Sequence, residues 1–62
     1  METASGLVDY AYPMMMAEKE LKNTHAAVLR KDFDAALEHA FAALAEIKLM
    51  QNALKEMKDL YS

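Results

Sequence analysis

The 62-residue chain has no cysteine and no tryptophan, and only one glycine and one proline. Without cysteine there are no disulfides, zinc–thiolate sites or thiol nucleophiles. A single glycine, Gly6, leaves no glycine-rich loop to cradle a phosphate. Both Gly6 and Pro13 fall early, so no breaker interrupts a helix in the rest of the chain. Val, Ile and Thr together number five, too few for the β-branched runs that strands favour. No apolar run approaches the ~20 residues needed to cross a bilayer. The opening Met-Glu-Thr-Ala-Ser-Gly lacks the basic and apolar regions of a signal peptide, so a cytoplasmic location and no membrane contact are expected. Length excludes a Rossmann unit with a partner domain, a barrel and any multi-domain enzyme.

What is present is mostly Ala, Leu, Met, Glu and Lys, all good helix formers. Apolar residues make up 55%, but 12 of them are Ala, so the bulky apolar content is modest. The fold expected is all-α: an antiparallel two-helix hairpin over 13–62, preceded by an N-terminal arm over 1–12. The arm's first six residues read as disordered, whereas Leu7, Val8, Tyr10 and Tyr12 are apolar enough to lie against something. Pro13 suits the first position of a helix running to about Arg30. Arg30-Lys31 then gives way to Asp32-Phe33-Asp34. That reversal matches the end of one helix dipole and the start of the next, with Asp32 as the N-cap. The second helix is expected from Phe33 to about Leu60.

At ~100° per residue, Met14, Ala17, Leu21, Thr24, His25 and Val28 fall on one face of the first helix. The matching stripe of the second is Phe33, Leu37, Ala40, Leu44 and Ile47, then Met50, Leu54, Met57 and Tyr61. Ala36, Ala40 and Ala43 would let the two backbones approach closely. Another stripe, Ala42, Leu49, Ala53 and Leu60, makes its C-terminal half apolar on two sides. With the turn at 31–32, residue i faces about residue 63 − i, so the first helix covers the second only to about residue 50. The surplus, Leu49, Met50, Ala53, Leu54, Met57, Leu60 and Tyr61, is the expected interface of a homodimeric four-helix bundle, with fold-back of Leu7, Val8, Tyr10 and Tyr12 over this end as the competing explanation. A two-helix hairpin alone is too thin to hide a core.

Candidate chemistry is sparse. His25 falls on the expected buried stripe and His39 roughly opposite its own, so the rings should point apart and no metal site is expected. No Glu-x-x-His pair marks a di-iron bundle. No nucleophile has a base at usable spacing, and catalytic residues and cofactors are not expected. Ten acids outnumber seven Lys and Arg, for a net charge of −3, which disfavours nucleic acid as a partner. The exception is the tip Arg30/Lys31, which a dimer could pair into a nucleic-acid contact. Met15 and Met16 suit a dimer seam or, with Tyr10 and Tyr12, a surface for an unidentified protein partner.

The stretch Lys31-Asp32-Phe33-Asp34-Ala35-Ala36-Leu37, with Ala43-Leu44, resembles the middle of a tetratricopeptide repeat. Asp32, Phe33, Ala36, Ala43 and Leu44 match that pattern. Lys31 replaces the usual turn glycine, and Glu20, Asn23, Thr24 and Ala27 stand where helix A carries its packing residues. Lys48 stands where a proline would end the repeat. The resemblance covers one repeat of an array that needs at least three, and implies a helical hairpin without implying a ligand. The short chain also looks like small accessory proteins of tailed phages and prophages, which would place it in host cytoplasm. The function expected is that of a non-enzymatic interaction protein which binds and modulates a partner protein as a homodimer. The alternative is a nucleic-acid-associated regulator.

Overall fold

Alanine spacing sets how the two helices of this protein meet. The computed structural model describes residues 9–61. Helix α1 spans Ala11–Leu29 and helix α2 spans Phe33–Tyr61, packed antiparallel as a hairpin. The expectation for residues 1–8, including Leu7 and Val8, lies outside the described residues.

Helix α1 begins two residues before Pro13, because Asp9 supplies the cap. Its Oδ1 accepts the backbone N–H groups of Ala11 and Tyr12, at 3.0 and 3.2 Å. Pro13 is then the third residue of the helix, where its missing N–H costs nothing, since the first turn has no intrahelical acceptors. Tyr10 and Tyr12 therefore belong to the start of α1, not to an arm.

The turn is closed by backbone bonds on one side and by a side chain on the other. Lys31 donates to the Val28 carbonyl and Asp32 to the Ala27 carbonyl, each at 2.9 Å. This is the paired pattern of a Schellman C-cap, which needs a left-handed residue between the two helices. Lys31 fills that role at φ 61°. A residue with a Cβ pays about 1 kcal/mol there that glycine does not. Lys31→Gly is expected to raise stability by about 1 kcal/mol, read as a higher urea midpoint.

Asp32 caps α2 as the charge reversal implies. Its Oδ1 accepts the Ala35 N–H at 3.2 Å, and its carbonyl accepts the Ala36 N–H at 3.0 Å. Asp32→Ala should lower stability by about 0.5–2 kcal/mol in the same denaturation assay.

The packing face differs from the large-residue stripes. Among the described residues the buried ones are Pro13, Ala17 and Ala27 on α1, and Ala36, Ala43 and Ala53 on α2. Half-buried Met16, Glu20, Asn23 and Thr24 complete the inner stripe of α1, and Ala35, His39, Glu46, Ile47 and Met50 that of α2. Both inner stripes are rotated by about 90° from the faces that bulk alone selects. Met14, Leu21, Val28, Phe33, Leu37 and Leu44 are accordingly exposed. The reason is distance: Ala against Ala lets the backbones approach closely, and close approach leaves no room for Leu or Phe between them.

The result is a slab of 44 × 21 × 12 Å. Its length is that of the 29-residue α2 at 1.5 Å per residue. Its thickness is that of one helix with its side chains. There is one layer, and no large side chain is fully buried in it.

Candidate interaction surface

Tyr10, Met14, Leu21 and Val28 lie along one side of α1, with the last three spaced by seven residues. Phe33, Leu37 and Leu44 lie along one side of α2. Both sets stand about a quarter turn from their inner stripes, in the same rotational sense along each chain direction. Because the helices run antiparallel, those two sides open on the same face of the slab. Leu21 is 52% exposed and Leu37 57%, so the described residues leave this face uncovered. It is continuous from the turn to beyond the middle of α2, where Ile47 is half-buried and Leu54 exposed. A shallow pocket of about 280 Å³ beside Leu54 is lined by Gln51, Lys55 and Lys58.

The surplus residues of the C-terminal half are placed unequally. Ala53 is buried inside the chain, and Met50 and Met57 are half-buried. Leu49, Leu54, Leu60 and Tyr61 are exposed. By helix position, Leu49 and Leu60 stand on the opposite flank of α2 from Leu37 and Leu44. Of the other candidates, Tyr10, Tyr12 and Met15 are exposed and Met16 is half-buried against α2. Met15 and Tyr12 fall away from the continuous apolar face.

The histidines exchange places relative to expectation. His25 is exposed on the outer side of α1, and His39 turns into the seam. Nδ1 of His39 lies 2.6 Å from Oε1 of Glu20. The carboxylate can only accept, so the ring nitrogen donates. The correction follows from the rotated stripe: with alanines inward, His39 shares the inner side of α2 with Ala36 and Ala43. Thr24 also turns back, its hydroxyl donating to the Glu20 carbonyl at 2.8 Å. The seam thus carries one polar clasp between helices, flanked by small residues. Breaking a part-buried pair strands its partner, which costs about 1–3 kcal/mol. His39→Ala should show a loss of that order in urea denaturation.

No three His, Asp or Glu side chains gather to hold a metal among the described residues. Arg30 and Lys31 are exposed at the turn, beside exposed Asp32 and Asp34. The Asp32 carboxylate is engaged in its cap, which holds it at the start of α2. No helix of the described residues is long and apolar enough to cross a membrane.

The buried seam left little trace in hydrophobic periodicity, because its residues are Ala, Glu, Asn, Thr and His. The alanines are the signal that marks it: Ala36 and Ala43 make the expected close approach, against Ala17 and Ala27, while Ala40 is exposed. Comparison with protein-family models, with curated proteins and with solved structures gave no match.

Proposed function

We propose that this protein is a non-enzymatic helical interaction protein that works as a homodimer and binds and modulates a partner protein. One observation carries the reading. Every fully buried residue described is Ala or Pro, while the bulky apolar side chains stand at the surface. A 62-residue chain has little burial to spare, even when its large side chains point inward. Full burial of a Leu, Met or Phe gains ~1.5–3 kcal/mol, and side chains still about half exposed forgo about half of that each, against a total domain stability of about 5–15 kcal/mol. Association is the economical way to recover that energy. Contiguous exposed apolar surface on a small domain marks an interaction site.

The turn supports nucleic-acid binding less well. Its two cations are answered by two carboxylates within the next three residues, and the protein carries a net charge of −3.

Sedimentation equilibrium from nanomolar to millimolar concentration tests the reading. A mass near twice 7.0 kDa at micromolar concentration is expected. A folded species of 7.0 kDa throughout would refute the homodimer.

A further inference from the structure

We propose that the face formed by Met14, Leu21, Val28, Phe33, Leu37 and Leu44 is covered by a second copy of this chain. The two copies relate by a dyad parallel to the helices, with α1 of each lying over α2 of the other. This deepens the homodimer reading by naming the surface and the pairing, and it rests on that reading.

Area is the first argument. The two-helix part of the slab, 21 Å wide and as long as the 19-residue α1, offers roughly 600 Å² per copy, at the lower end of the ~1,200–2,000 Å² total of a specific interface. A second single-layer hairpin has the same outline, so its α1 covers this face of α2 down to about residue 50, the stretch that carries Phe33, Leu37 and Leu44. The two layers together make a four-helix bundle, an arrangement with an enclosed core.

Charge decides between the two ways of stacking. The α1 edge of the face is bordered by Glu18, with Lys22 one turn on and further round the helix, and the α2 edge by Lys48 and Lys55. All four are exposed. Stacking α2 on α2 would set the lysine edge against itself. Stacking α1 on α2 sets Glu18 of each copy along the lysine edge of the other. A dyad parallel to the helices preserves height, so Glu18 comes within about a turn or two of Lys48 of the second copy. Helical side chains lean toward their own N-terminus. In this arrangement the two therefore lean toward each other.

The face also lacks a buried charge. His25 stands at its α1 border and Glu18 and Lys48 at its rims, so the centre is apolar, as the core of a homodimer interface requires.

The test compares substitutions on the two flanks of α2, followed by analytical ultracentrifugation and circular dichroism. Leu37→Glu should raise the dimer dissociation constant about 100-fold or more, while Leu60→Glu, on the opposite flank, should change it less than about threefold. Leu37→Glu could unfold the chain, so the pairing is read separately from charge. Glu18→Lys or Lys48→Glu alone should weaken the dimer about tenfold, and the two together should restore it. Dissociation by Leu60→Glu and not by Leu37→Glu would leave the homodimer standing and overturn this face. A double charge reversal no tighter than the weaker single would overturn the α1-on-α2 pairing. A folded wild-type monomer would instead remove the homodimer itself.

Discussion

Ala43→Leu is expected to destabilise the hairpin by about 3 kcal/mol, at every protein concentration. Ala43 is 2% exposed, at the centre of α2 and directly in the seam. Three added carbons have nowhere to go without separating the helices. Separation would also stretch the His39–Glu20 clasp, four residues away on the same inner side of α2. The neighbouring substitution Leu44→Ala is the informative contrast. Leu44 is 51% exposed in the single chain. An exposed truncation costs within about 0.5 kcal/mol, whereas one in an enclosed core costs 2–5 kcal/mol. Urea denaturation at high protein concentration separates these: a cost near 3 kcal/mol for Leu44→Ala, falling as the protein is diluted, would place Leu44 in a core that a second chain supplies. Tolerance of Ala43→Leu would mean that the helices do not touch along their alanines.

The melting temperature should rise by about 5 °C for each tenfold increase in protein concentration. Tenfold is worth 1.4 kcal/mol per dimer, or about 0.7 kcal/mol per chain. A domain of this size shifts by roughly 4–8 °C per kcal/mol. A monomer has no such dependence, because association enters stability only through mass action. Melts followed at 222 nm from 1 μM to 1 mM would span about 15 °C if folding and assembly are one event. A midpoint flat across that range would show that the single-layer hairpin is stable alone, and that its exposed leucines serve some other contact.

Much of the secondary structure was legible because it is local. The Arg30-Lys31-Asp32-Phe33-Asp34 reversal located the turn to the residue, and the Asp32 cap forms as the sequence implies. The start of α1 was misplaced for an equally local reason. Proline is tolerated through the first turn, not at one position, and Asp9 was the stronger signal. The facing of the helices was misread at Leu21, Val28 and Leu37, because periodicity reports where apolar residues gather without saying which neighbour will cover them. Between the two described helices, one narrow seam is covered. The small residues won it.

The sequence by itself determined the helical class, the position and chemistry of the turn, and the excess of bulky apolar side chains over what one hairpin can hide. Those depend on composition and on contacts within a few residues, where propensity, capping and charge act directly. Only the tertiary structure decided that Ala17, Ala27, Ala36 and Ala43 meet between the helices. It likewise decided that His39 reaches Glu20, and that Met14, Leu21, Val28, Phe33, Leu37 and Leu44 share one open face. The physical reason is that backbone separation and helix rotation are settled together. Each residue's burial depends on what stands across from it, and that partner is distant in sequence.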